Sequence, residues 1–493
     1  MKCFQVSMRD DVVAPIILFV FTCVFCLNPG LSVRAEQSAG WWSEAAKPYQ
    51  GTVLRGISED TPASHYVARV LVKQFELETG IKIEFETVFW DDMYDKSIQD
   101  MATKTGLYDF VYVEQDMLAV YLTQNYLVNL SRMLKDTPEL ASPHFGFQRF
   151  NSFLNYFREP ETGDIYGVPI EAFLKVYAYR SDLFDDRDIR NAFHEAYGYP
   201  LAPATTFAQY RDIAEFFTNW GKQHQMPLWG TTLQASIEHS ASFYEFFETI
   251  APSFGVYNWG INMESWTASV EHGGSLNSER AKEALTFWVN LLPFSPPGAT
   301  GSTWYEVAAE FAAGQAAQGW IYGENILWIA TDPGRSQVVG KVGVALPPLY
   351  EGVLEDAHAG RGYIGYYDGG AFGIPSASQQ QEASLLWLQY LGQESVQRDW
   401  SVQASRIVQN NVLDDPQIQN YDRKSGGYFS FFRDYSRLFA GAPYFPFHAG
   451  MRDIVAPYIH QAIQGRMTPG DALDEAAARV DDLLSRLKQK GVL

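Results

Sequence analysis

Cysteine is nearly missing from this chain. Only Cys3, Cys23 and Cys26 occur in 493 residues, all near the start. No disulfide framework can therefore hold the rest of the fold, and no Cys-based zinc pattern is available there. Basic charge is also scarce, with 37 Lys and Arg against 58 Asp and Glu, a net charge of −21. No polybasic run appears, which argues against nucleic acid or an anionic membrane surface as partner. None of the nine histidines falls in a H-E-x-x-H pattern, and no G-x-S-x-G elbow or Walker A sequence is present. Long apolar runs are scarce too. Val12 to Leu27 is almost wholly apolar but has 16 residues, short of the ~20 that a membrane span needs.

That run has the form of an export signal. Lys2 and Arg9 precede it, and Val33-Arg34-Ala35 places small side chains where a signal peptidase reads. Residues 1–35 are expected to be removed after Ala35, outside the fold. Neither Phe21-Thr22-Cys23 nor Val24-Phe25-Cys26 is a good lipidation sequence. An exported chain without disulfides fits a bacterial periplasm.

The remainder is long enough for two or more domains. Its 46% hydrophobic and 19% charged content excludes disorder, and 15% aromatic residues suggest aromatic-rich cores or stacking surfaces. Gly51 to Ile57 reads as a strand and Val67 to Glu78 as a helix with apolar residues at helical spacing. Thr79-Gly80 stops that helix, and Ile81 to Phe85 alternates as a second strand. A helix around 92–104 and a strand Asp109–Val113 follow. These are βαβ units and imply a parallel sheet. Ligands bind beyond the carboxyl ends of such strands, so the loops Glu59–Thr61, Phe89–Asp91 and Glu114–Asp116 should converge on a site. The middle and end of the chain read mostly as helices, with a strand-like Met226-Pro227-Leu228 and a short strand at Phe372–Pro375.

Six segments carry a family resemblance when taken in order: Phe75 to Ile83, Leu107 to Val111, Gly163 to Pro169, Tyr179 to Phe184, Phe311 to Ala317, and Thr468 to Ala476. Together they resemble the extracellular solute-binding proteins of ABC importers, the family that includes maltose-binding protein. The resemblance implies an α/β, two-lobed periplasmic-binding-protein fold, with a ligand cleft between the lobes and several hinge crossings. It implies an N-terminal lobe of residues 36–168 plus 370–441 and a C-terminal lobe of 169–369 plus 442–493. The crossings are expected near Val168–Glu171, Asp368–Gly370 and Ala442–Phe447.

Candidate ligand residues follow. The resemblance implies roles for Glu59 and Asp60 after the first strand, for Asp116 after the third, and for backbone groups at Gly369 and Gly370. Carboxylates can accept two hydroxyls at once. Trp90 and Trp229 offer faces for stacking, Glu171 offers charge just past the first crossing, and Arg406 is expected to reach the cleft from the Ser405-Arg406-Ile407 turn. Many family members carry Gly-x-Trp where this chain has Gly323-Glu324-Asn325. Tyr322 or Trp320 then takes over stacking, or the ligand is not a flat sugar ring, and Glu324 suits a polar ligand. Gly360 to Gly365 formally matches G-x-G-x-x-G but lacks a flanking strand and helix. Tyr366-Tyr367 resembles the paired tyrosines of ferric-ion-binding proteins without an accompanying His or carboxylate cluster. The expected function is capture of a small polar solute, a sugar or polyol, by hinge closure and its delivery to an inner-membrane ABC permease. A monomer with no cofactor is expected. A nitrogenous cation such as a polyamine is the alternative ligand, and an exported glycoside hydrolase using paired carboxylates is the rival class.

Overall fold

The computed structural model describes residues 40–493. The expected leader and its cleavage point at Ala35 lie outside them. Strand β1 (Val53–Glu59) leads through a helical segment, α1 (residues 62–79), to β2 (Lys82–Val88). Thr61 caps α1 by accepting a hydrogen bond from the Ser64 amide, and Gly80 ends it in a left-handed conformation. Helix α2 (Trp90–Thr103) and strand β3 (Phe110–Glu114) complete the second βαβ unit. β1 pairs in parallel with both β2 and β3. The sheet, of order β2-β1-β3-β9-β4, is extended by β9 (Gly370–Gly373) and β4 (Val168–Pro169), with β9 antiparallel to both of its neighbours. Phe75, Phe110, Phe372 and Trp387 pack behind it edge-on or tilted.

A second sheet is built on β5 (Phe173–Arg180), which pairs antiparallel with β6 (Gln318–Tyr322), β7 (Val342–Ala345) and β8 (Tyr367–Asp368). Its helices include α3 (Phe207–Gln223), held at its start by a capping box of Thr206 and Gln209. They also include α4 (residues 241–253), α5 (Trp304–Ala312) and α6 (Gly323–Thr331). Two long helices close the chain here, α10 (His448–Ile463) and α11 (Pro469–Gln489). Between them and the second sheet in sequence lie α7 (Gln381–Leu391), α8 (Glu394–Ala404) and α9 (Tyr428–Tyr435). The architecture is therefore α/β and two-lobed.

The chain leaves β4 in the first sheet and enters β5 in the second within three intervening residues, then returns from β8 to β9 across Gly369 alone. That glycine has φ +139°, and a Cβ there would sit 2.1 Å from the Glu171 carbonyl oxygen, so the tight return needs glycine. Helix α9 packs on the second lobe, against α6 and β7, although the expected division assigns it to the first. Tyr428 reaches the second sheet, where its hydroxyl accepts from the Leu174 amide and fills the space a side chain at residue 323 would need. Met226–Leu228 forms no strand: the Met226 amide bonds back to the Gly221 carbonyl, making a turn after α3.

Candidate functional site

Between the sheets lies a cavity of about 640 Å³, a volume that includes the solvent at its mouth. The first lobe supplies the wall expected of a parallel sheet. Glu59 ends β1, Glu114 ends β3, Asp116 follows in the next turn, and Trp90 opens α2; all four line the cavity. Trp90 Nε1 donates to Glu114 Oε2 at 2.8 Å, which orients both groups. The second lobe supplies Tyr244 and Glu248, one turn apart on α4, with Tyr322 from the end of β6 and Glu324 in the first turn of α6. A carboxylate in that first turn is favoured by the helix dipole. The crossings supply the floor: Glu171, Phe173, Tyr366 and Asp368.

Arg406 ties these walls together. It follows α8, whose end is turned by Ser405 at φ +54°. Its Nε lies 2.9 Å from Glu171 Oε1, and its Nη2 pairs with Glu324. Glu171 also accepts from the Tyr112 hydroxyl at 2.8 Å. The phenol end of Tyr112 sits beside Gly370, where a Cβ would stand 2.1 Å from it. Behind the second wall, buried Lys175 pairs with Glu245, donates to Gln234 at 3.0 Å, and sits 4.1 Å above the Tyr322 ring.

Carboxyl groups outnumber cations around this space, and burial raises their pKa. Burial, with the nearby Glu324 and Glu171 carboxyls, pushes Glu59 up to about 8. Glu114 and Glu248 are held well above the usual range, chiefly by burial and then by Asp116 and Asp368 respectively. Burial also raises Asp368 and Glu324, the latter opposed by Arg406.

Contacts also cross the cleft. Asp116 lies 3.1 Å from His448 Nε2 and accepts from the Tyr244 hydroxyl at 3.4 Å. Burial lowers the His448 pKa, and Asp116 partly offsets this. At the rim, His239 of the second lobe pairs with Asp91 of α2 at 2.8 Å. His239 and its neighbour Ser240 both have φ +53°, an uncommon conformation for side-chain-bearing residues. An outer groove, about 1950 Å³ and open to solvent, shares Glu59, Trp304, Glu324 and Arg406 with the cavity.

Seven of the sequence candidates meet at this cavity: Glu59, Trp90, Asp116, Glu171, Tyr322, Glu324 and Arg406. Asp60 does not. It faces the outer groove and pairs with His65. Trp229 does not either: it is not among the residues lining the cavity, and its backbone bridges to Ala316. Gly369 and Gly370 shape the crossing without lining the cavity. Trp320 is buried and stacked on Tyr210 at 4.4 Å, leaving Tyr322 as the aromatic of β6 that faces the site. Sequence reasoning missed Tyr244 and Glu248. Their signal was a pair of glutamates inside the otherwise apolar Phe243 to Ile250 stretch. Asp368 was noted only as a crossing residue. Among the described residues, no group of three or more His, Cys, Asp or Glu side chains is arranged to hold a metal ion.

A family profile described as bacterial extracellular solute-binding protein matches residues 70–424. The fold resembles an ABC transporter solute-binding protein of Agrobacterium radiobacter K84 in complex with ribitol, at 20% identity and TM-score 0.70, covering 89% of this chain and 100% of that one. It resembles maltose-bound MalE3 of T. maritima at 19% identity and TM-score 0.69, covering 88% and 100%. It also resembles a solute-binding protein of Agrobacterium vitis S4 with bound D-mannitol at 18% identity and TM-score 0.68, covering 90% and 99%.

Proposed function

Because the chain belongs to the bacterial extracellular solute-binding proteins, we propose that it captures a sugar or polyol in the cleft between its lobes and presents it to an ABC permease of the inner membrane. The observation that carries this reading is the composition of the cavity. Aromatic rings at Trp90, Tyr244, Tyr322 and Tyr366 alternate with carboxyl groups from both lobes. Rings pack on the C–H faces of a carbon chain, and carboxylates accept its hydroxyls. Structural relatives solved with ribitol, D-mannitol and maltose support this ligand class.

In this reading the lobes are residues 36–168 with 370–427, and 169–369 with 428–493, α9 joining the second lobe because it packs on α6 and β7. The short crossings act as hinges, and a solute touching both walls favours the closed arrangement by its differential affinity. The protein works in the periplasm after removal of residues 1–35, as a monomer, and performs no chemistry on its ligand. The test is a thermal-shift screen of refolded, ligand-stripped protein against ribitol, mannitol, tagatose and maltose. A ligand at 1,000 times its Kd adds about 4 kcal/mol of stability, a clear rise in Tm. Absence of any shift with sugars and polyols would refute the ligand class, and turnover of the bound sugar would refute the non-catalytic role.

A further inference from the structure

The charge inside the cavity is unbalanced. Glu59, Glu114 and Asp116 stand on one wall, Glu248 and Glu324 on the other, with Glu171 and Asp368 between them. The one guanidinium among the lining residues, Arg406, is already paired with Glu171 and Glu324. Glu114 receives the Trp90 indole N–H, and Asp368 receives the Gly369 amide. Besides Glu59, whose side chain makes no hydrogen bond among the described residues, two fully buried oxygens are left over. Among the described residues, Asp116 Oδ1 and Glu248 Oε1 have no hydrogen-bond partner, although each side chain belongs to a residue only 3% exposed. Their residues come from opposite lobes and both line the cavity.

Buried acceptors without donors are costly, and buried charges without counter-charge more so. A neutral polyol brings donors but no charge. An ammonium group brings three donors and a positive charge, and the Tyr244 and Tyr366 rings that line the same space suit a cation. We propose that the solute is a sugar or polyol bearing a protonated amine, with the ammonium held between Asp116 and Glu248. This rests on the sugar-or-polyol reading above and narrows it. The groups facing Asp116 are His448, Tyr244, Arg452 and Glu114, and those facing Glu248 are Tyr366, Lys175, Asp116 and Asp368. None of the cations among them donates to either free oxygen. Ammonium binding favours the ionised carboxylates, so it should expel protons from the raised carboxyl groups.

The experiment is calorimetric titration of ligand-stripped protein with matched pairs. The pairs are glucosamine with glucose and with N-acetylglucosamine, and 1-amino-1-deoxysorbitol with sorbitol; putrescine is the amine without hydroxyls. At pH 7 the amine member of a pair is expected to bind about tenfold or more tightly than its neutral partner. Its binding should weaken with added salt and release protons, seen by comparing buffers of different ionisation enthalpy. In Glu248→Gln and Asp116→Asn the ratio between pair members should fall toward one, with Tm confirming that each variant folds. A neutral member that binds as well as its amine overturns this inference and leaves the sugar-or-polyol reading intact. Binding of putrescine alone overturns that reading and the amino-polyol with it. No binding in any series overturns both.

Discussion

Glu59 ends a strand among other carboxyl groups, and its pKa of about 8 has a consequence for folding. The folded chain keeps a proton that the unfolded chain, at the ordinary 4.5, has already lost. Stability is therefore highest below that ordinary value and falls as pH rises toward 8. The raised Glu114, Glu248 and Glu324 act in the same direction. The Tm of the unliganded protein should drop between pH 5 and pH 8. Glu59→Gln, which cannot ionise, should raise Tm over wild type at pH 8 and leave it unchanged at pH 5, as read by scanning calorimetry. Lys175 makes the opposite case. Its loss in Lys175→Met strands the buried Glu245 carboxylate and should cost about 3–5 kcal/mol in urea denaturation. Adding Glu245→Gln should recover part of it. At this scale the sequence was readable at strand ends: Glu59, Trp90 and Asp116, singled out by that position, all line the cavity. Glu248 and Tyr244 were not, because a helix buried on nearly all sides has no polar face to set them apart. Trp229 misled because an aromatic beside a glycine is as common in a core as in a cleft.

Among elements, the first sheet was legible and the second was not. β1, α1 and β2 differ in hydrophobic period, and Gly80 marks a boundary, so the βαβ order can be read directly. β5 is buried on both faces, so Phe173 to Arg180 shows no alternation. Its partners β6, β7 and β8 come from 138 or more residues downstream, a pairing that local pattern does not encode. The return from β8 to β9 concentrates its constraint in one residue. Gly369→Ala would place a methyl against the Glu171 carbonyl and should destabilise by about 1–3 kcal/mol. Because Glu171 holds Arg406, the same change should also weaken ligand binding. Denaturation and titration of the same preparation separate the two effects. At the start of α3, Thr206→Ala removes the capping box and should cost about 1 kcal/mol with no change in affinity.

For the molecule as a whole, the two lobes touch across the cleft as well as through the crossings. The His239–Asp91 pair spans the rim from strained backbone. Asp91→Ala should leave the fold intact and weaken solute binding by about two- to fivefold, mainly through faster release in stopped-flow measurements. The two-lobed plan was visible in six scattered motifs, whereas the packing of α9 on the second sheet was not. That contact depends on Tyr428 meeting a glycine far away in sequence.

The acidic walls also bear on how faithfully such a protein reports. Bringing Glu59, Glu114 and Asp116 toward Glu248 and Glu324 with nothing between them forces either repulsion or uptake of protons. A vacant molecule at neutral pH therefore resists adopting the shape of a loaded one. In the proposed transport role, that bias would keep an empty molecule from being read as a loaded one. Acidification relaxes that safeguard, since protons can stand in for the missing cargo.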